Sequence, residues 1–251
     1  MSINTDQLKL ANRISAHKKY SRFNINDWIF NIVKPEKREK LLDIGCGTGE
    51  QLLRFAKSCG QRSEIIGIDE SPTALEIVNN MCKKNGLVNV KTVVGNMDDL
   101  SFLLDAKKNF DVVISCFSLY YSKNISQLIT NIKKIMHKDG RLFVCGPVKE
   151  NNKELIQFQK QISQSKMRQI NYPMSELILS EILKNFQKVT QHFFFNPMKF
   201  PNSQSLIDYW KSYVLFDPKI EGAFINNINI YFKNHKNFTT TKKVMGILAQ
   251  M

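Results

Sequence analysis

"LLDIGCGTGE", residues 41–50, places three glycines and a cysteine directly behind an apolar run that carries Asp43. Without a Cβ, glycine turns the backbone through positive φ and lets it approach a ligand closely. The apolar residues before the turn read as a buried strand, and "TGEQLLRFAKSCG" (48–60) reads as a helix stopped by Gly60. A turn of this kind presents backbone amides, with a helix N-terminus behind them, at the carboxyl end of a strand. That is where an open α/β sheet holds its ligand.

The same rhythm continues outward from this turn. "SEIIGIDE" (63–70) is a second buried strand, and Ser71-Pro72 supplies an N-cap and a first-turn proline for the helix "TALEIVNNMCKKNG" (73–86). "VKTVVG" (90–95), "FDVVISCF" (110–117) and "RLFVCGPV" (141–148) read as three more strands. Ile125, Leu128, Ile129, Ile132, Ile135 and Met136 recur at helical spacing, with Gly140 expected to end that helix. Strands apolar on both faces that alternate with amphipathic helices imply a parallel sheet covered on both sides. After Val148 come two helical stretches (151–166 and 174–185), then "KVTQHFFFNPMKF" (188–200), a polar and aromatic insert, and "NFTTTKKVMGILAQM" (237–251). The two apolar stretches can pair as antiparallel edge strands. No repeat or linker divides the chain, so one domain over 1–251 is expected.

The ligand class follows from charge. Asp69 closes the second strand about 20 residues past Gly49, the spacing at which an acid hydrogen-bonds a ribose. A dinucleotide turn would need a third glycine where Glu50 stands, and Glu50 with Asp43 would repel a diphosphate. NAD is therefore disfavoured, and a cationic or zwitterionic nucleoside is favoured.

These residues resemble motif I of the class I S-adenosylmethionine-dependent methyltransferases. The resemblance runs over about residues 37 to 148 and is similar in motifs I to IV to the ubiquinone- and menaquinone-biosynthesis enzymes. "IIGIDESPTALEIV" looks like the second motif, "VVGNMDDLSF" like the third and "FDVVISCFSLYY" like the fourth. The resemblance implies a doubly wound, seven-stranded, mostly parallel sheet with its last strand antiparallel, helices on both faces and a helical lid. It implies an S-adenosylmethionine site made by Asp43, Gly45, Cys46, Gly47, Asp69, Glu70, Asn96, Met97 and Cys116. Asn96 stands where the family carries an aspartate that accepts from the adenine amino group, and an amide oxygen can still accept that bond. The expected parts are an N-terminal helical cap (1–36), the cofactor-binding core (37–148) and a lid insert (203–237) between the last two strands.

The implied reaction is methyl transfer to an oxygen or nitrogen of a small-molecule metabolite; the alternatives are an RNA or a protein methyltransferase. Tyr20, Tyr120, Tyr121, Tyr209 and Trp210 are the candidate acceptor-side residues, as aromatic walls with polar tips. No catalytic residue is assigned. Tyrosine is a poor base near neutrality, and His17, His137, His192 and His235 lie in peripheral segments; His137 is expected in the last turn of a helix. The five cysteines have neither disulfide nor metal-ligand spacing, so no metal is expected, and the cytoplasm is the natural compartment. No apolar run reaches the length of a membrane span, and no membrane partner is expected. The net charge of +14 admits an anionic small-molecule partner, but the lysines fall in pairs along the whole chain, as compositional bias would place them. A nucleic-acid partner is disfavoured on that ground, and the oligomeric state is left open.

Overall fold

The computed structural model describes residues 7–162 and 173–251. They separate into two compact units. The sheet unit comprises Ile25–Val148, Tyr172–Phe194 and Val244–Met251; the helical unit comprises Met1–Asn24, Lys149–Asn171 and Phe195–Lys243. The boundary after Asn24 falls within the N-terminal segment 1–36.

The sheet unit follows the predicted alternation. Its elements are α2 (Ile25–Val33, after α1 at Gln7–Tyr20), β1 (Leu41–Ile44), α3 (Glu50–Cys59), β2 (Ile65–Asp69), α4 (Pro72–Asn85) and β3 (Val90–Val94). Then come α5 (Ser101–Asp105), β4 (Phe110–Cys116), α6 (Ile125–Ile135) and β5 (Met136–Pro147). Strand order is β3-β2-β1-β4-β5-β7-β6, with β6 at Lys188–Phe200 and β7 at Phe238–Gln250. β1 pairs in parallel with both β2 and β4, and β7 is antiparallel to β5. The chain reverses its order of travel between β1 and β4, the switch point at which such sheets bind ligands. Period-two alternation sends Leu42 and Ile44 to one face, under α6 and α8 (Leu179–Asn185). Leu41 goes to the other, under α2, α3 and α4.

Local chemistry fixes the helix ends. Ser71 caps α4 by accepting the Ala74 N–H at 3.2 Å, and Asn124 caps α6 by accepting from Gln127 at 3.0 Å. One reading needs correction. Gly140 does not terminate α6, which stops at Ile135; it lies inside β5, which starts at Met136. The pairing of β4 with β5 slips there, from Phe110↔Met136 to Val112↔Arg141. A Cβ on Gly140 would come within 2.8 Å of the His137 carbonyl and 2.9 Å of that of Phe110, so the bulge requires glycine. His137 is accordingly a strand residue, and its Nδ1 accepts the Asp139 N–H at 3.2 Å.

The helical unit has its own core. It contains α1, α7 (Lys153–Ile162), α9 (Ser203–Ser212) and α10 (Glu221–Asn234), together with residues 195–200 of β6 and 238–243 of β7. Trp210 is fully buried, stacked on Phe224 with ring centroids 3.8 Å apart, and its indole N–H donates to Gln159 Oε1 at 2.8 Å. Gln159 in turn donates to the Leu215 carbonyl at 2.9 Å. Tyr209 is equally buried, with its hydroxyl accepting from Asn152 Nδ2 at 2.9 Å. Both rings, expected on an acceptor wall, are core residues of this unit, because segment 203–237 must bury its large aromatics to fold at all. Tyr20 packs on Phe200 at 4.9 Å in the same cluster.

Trp210→Ala should therefore act first on stability. A loss of about 3–5 kcal/mol is expected for an aromatic core truncation, read as an earlier transition in urea unfolding. A variant that unfolds like the parent would show that the ring carries little of this core.

Candidate functional site

Loops from the carboxyl ends of four strands meet at the switch point. The N–H groups of Gly45 and Cys46 both donate to the Ile68 carbonyl, at 2.8 and 3.0 Å, stitching the loop after β1 to β2. Asp69 then holds two elements at once. Its Oδ2 accepts the Gly47 N–H at 2.8 Å and its Oδ1 accepts the Ser71 N–H at 2.9 Å. The Asp69 carbonyl accepts from Gly95, which brings in the loop after β3. From β4, Ser118 Oγ donates to the Ile44 carbonyl at 2.7 Å, and Ser115 Oγ donates to the same oxygen at 3.0 Å.

Gly45 and Gly47 both have positive φ, +71° and +53°, yet they need glycine for different reasons. A Cβ on Gly45 would fall 2.4 Å from Ser118 Cβ, whereas one on Gly47 would meet nothing within 4 Å. Gly45 is the seam between β1 and the β4 loop. Gly47 faces open space, with its amide already committed to Asp69.

The acids sit in unequal environments. Asp43 is 2 % exposed, and burial, with Asp69 nearby adding to it, pushes its carboxyl up to about 8; a backbone hydrogen bond from Leu52 acts in the opposite sense. Glu50 is tied to Asn26, whose amide donates to Glu50 Oε2 at 3.1 Å. Glu70 is exposed just beyond β2. This acidic group disfavours a diphosphate and suits a ligand carrying positive charge.

Asn96 and Met97 are half-buried in the loop after β3, and Met97 Cε lies 3.6 Å from the Cβ position on Gly45. Asn96 Oδ1 accepts the Asp98 N–H at 2.8 Å, leaving one further acceptor position on that oxygen. Asp98 bridges to the β4 loop, accepting from Ser122 Oγ and from the Lys123 N–H. The surroundings of Cys46 and Cys116 disfavour the thiolate form in both. Burial, then the charges of Asp43 and Asp69, raises the Cys46 thiol; a hydrogen bond with Cys145, then burial, raises that of Cys116. Cys46 instead fits over Gly67, where its Sγ would lie 2.9 Å from any added Cβ.

At the end of β4, Tyr120 and Tyr121 pack ring to ring at 4.6 Å. Tyr120 occupies the room left by Gly146, while Tyr121 is half exposed. Phe117, just before them, has φ +62°, a conformation uncommon for a bulky side chain. Sequence reasoning missed Phe117, Ser115, Ser118 and the Asp98 bridge. A serine two residues past a strand carries no periodic signal, and only the packing of Ser118 against Gly45 explains it.

Gly45→Ala should cost more stability than Gly47→Ala. The second meets only the left-handed backbone penalty of roughly 1–2 kcal/mol, and the first adds a clash with Ser118. Ser118→Gly should recover part of the loss in the Gly45→Ala background. Equal unfolding midpoints for the two glycine variants would contradict the seam.

Comparison with known proteins fits this architecture. Demethylmenaquinone methyltransferase of Bacillus velezensis is 29% identical over 144 residues, covering 57% of each chain. Aklanonic acid methyltransferase DauC of a Streptomyces species is 27% identical over 120 residues, covering 48% of this chain and 53% of that one. The chain thus spans little more than half the length of the curated relatives it matches. Among solved structures, a SAM-dependent methyltransferase from Aquifex aeolicus superposes with a TM-score of 0.53 at 13% identity, over 75% of this chain and 91% of that one. The family described as "Methyltransferase domain" matches residues 35–202, from just before β1 to the start of the segment after β6. That match covers more than half of the chain and contains every loop of the switch-point site, so the chain belongs to the methyltransferase-domain family.

Proposed function

We propose that this chain transfers a methyl group from S-adenosylmethionine to an oxygen or nitrogen of a small-molecule metabolite, in the cytoplasm. The observation that carries the reading is the Asp69 carboxylate, fixed by two backbone N–H groups at the switch point beside the buried acid Asp43. Each Asp69 oxygen uses one acceptor position on the protein and keeps another for a ribose hydroxyl. Asn96 Oδ1 retains an acceptor for an adenine amino group, and Met97 offers an apolar surface beside it. Asp43 is the counter-charge for an ammonium, and Gly47 leaves the loop surface open. The residues present fit the ligand.

Bound there, S-adenosylmethionine supplies a methyl group already activated on a sulfonium. The protein's own task is to orient the acceptor and exclude water. Tyr120 and Tyr121, at the end of β4, are the acceptor-side residues of this unit. Their hydroxyls offer hydrogen-bonding groups to an acceptor. An acceptor that is already nucleophilic, such as a carboxylate, an enolate or an amine, suits such a site. An anionic one also suits the net charge of +14. The small-molecule class is supported by the names of the two relatives, and the compartment by the five free cysteines. Among the described residues no helix is long and apolar enough to cross a membrane.

Transfer of labelled methyl groups from the cofactor into fractionated cell extract tests the class of acceptor. Label in the small-molecule pool is expected; label in RNA or protein would replace the proposal. Asp69→Ala should weaken cofactor binding by roughly 1.5–3 kcal/mol, the range for a hydrogen bond to a charged group, as read by calorimetry. Unchanged affinity in a folded variant would remove Asp69 from the site.

Asp43 gives the pH dependence. Its folded-state pKa of about 8 lies above that of an unfolded aspartate, so between about pH 4 and 8 the native state holds an extra proton. Its contribution to stability therefore falls as pH rises through that window. A ligand ammonium needs the carboxylate instead, so binding should release a proton. Affinity should rise by up to about tenfold per unit from pH 6 to 8. Calorimetry in buffers of different ionisation heat reads the proton directly; no release, or the same release in Asp43→Asn, would refute the role.

A further inference from the structure

The fold sorts the charge that the sequence scatters. The helical unit holds 17 Lys and Arg against 6 Asp and Glu; the sheet unit, over half as long again, holds 19 against 16. The helical unit therefore carries +11 of the net +14. In proportion to length the helical unit would hold about 14 of the 36 basic residues and about 8 of the 22 acids, so its net charge comes from somewhat more bases and somewhat fewer acids together. Local neutralisation is slight, because the acids of the unit are few and engaged. Glu150 pairs with Lys153 and Lys243 at 2.9 Å, Glu221 pairs with Lys211 at 2.6 Å, and Glu154 accepts from Thr240 and Thr241.

The same unit exposes large apolar side chains next to its cations. Phe23 and Phe195 are 49% and 56% exposed. The Arg22 guanidinium lies 5.1 Å from the Phe23 ring centroid, and Lys243 Nζ lies 5.8 Å from that of Phe195. The two rings belong to adjoining backbone: the Asn196 side chain bonds both the N–H and the carbonyl of Phe23, and the Arg22 N–H donates to the Pro197 carbonyl. β6 is the outermost strand of the sheet, where an exposed aromatic is a liability unless something covers it. Leu8, on α1 beside Lys9, is 70% exposed.

We propose that the edge of the helical unit carrying Phe23 and Phe195, with Arg22 and Lys243 beside them, docks on an anionic lipid bilayer. Three occupants would fit an apolar edge, and charge separates them. A second copy of the chain would bring +11 against +11. A nucleic acid would neutralise the charge and could stack on Phe23 and Phe195, which makes it the competing occupant of the test. Only 3 of the 17 basic residues are arginines, the side chain suited to forked phosphate and base recognition. An acidic bilayer takes lysines as point charges and accepts aliphatic and aromatic side chains at the headgroup boundary. A small-molecule enzyme held in this way would meet acceptors that partition into the membrane.

Flotation of the full chain with vesicles tests the proposal, comparing phosphatidylcholine alone with a phosphatidylcholine–phosphatidylglycerol mixture. Retention on the mixed vesicles only, falling as salt rises, is expected. Phe23→Ala with Phe195→Ala should lower the partition coefficient about tenfold or more, the scale of burying such rings, and Lys18→Glu with Lys19→Glu should lower it further. The melting curves of both pairs, matched to the parent, verify that the fold is intact. If either pair melts early, Lys18→Gln with Lys19→Gln gives the milder test of the charge term. Equal retention on neutral vesicles, no retention on either, or displacement from mixed vesicles by homopolymeric RNA that itself binds the chain more tightly would each overturn the proposal.

Discussion

The two backbone amides that converge on the Asp69 carboxylate are the constraint from which the rest of the site is built. One belongs to the glycine turn after β1 and the other to the start of α4, so a single side chain fixes the loop and the helix against each other. The arrangement leaves half of the carboxylate's acceptor capacity unused. A half-buried carboxylate satisfied on one side and open on the other is prepared for a ligand with hydroxyl donors. The parallel order of β1, β2 and β4 makes this possible, because only in parallel strands do the carboxyl ends and their loops gather on one edge.

Two acids near one another, one of them buried, would ordinarily repel. Here the cost is borne by Asp43, which keeps its proton well above the usual carboxylate range, while Asp69 has amide donors. The pair is chemically unequal although the residues are identical. Environment alone separates a neutral acid, which can ionise when a cation arrives, from one held ready as an acceptor. The same loops also show how close packing selects residues that look catalytic but are not. Cys46 is small and buried, the thiols of Cys46 and Cys116 are both raised in pKa, and Ser118 fills the space that Gly45 vacates.

The helical unit follows a different logic. Its aromatic residues bury one another around Trp210 and Phe224, and their polar tips are satisfied inside the unit by Gln159 and Asn152. The same unit carries most of the molecule's net charge. A core of aromatics under a basic surface makes an adhesive module, distinct in composition from the nearly neutral sheet unit.

By itself the sequence determined the alternating strands and helices, the glycine turn at residues 45–49 and the acid at 69. Periodicity, caps and glycine spacing are local signals that survive in a linear string, and the motifs in order along residues 37 to 148 carried the family. Only the tertiary structure decided the rest. Gly140 became a bulge because Phe110 and Met136 pair across strands, and no local pattern announces a slipped register. Tyr209 and Trp210 turned inward because segment 203–237 had to bury its own aromatics. The charge became a surface because lysine pairs far apart in the chain fold into one unit. In each case the deciding partner is distant in sequence, so the physics that fixes the outcome is contact and field, and neither is written in local order.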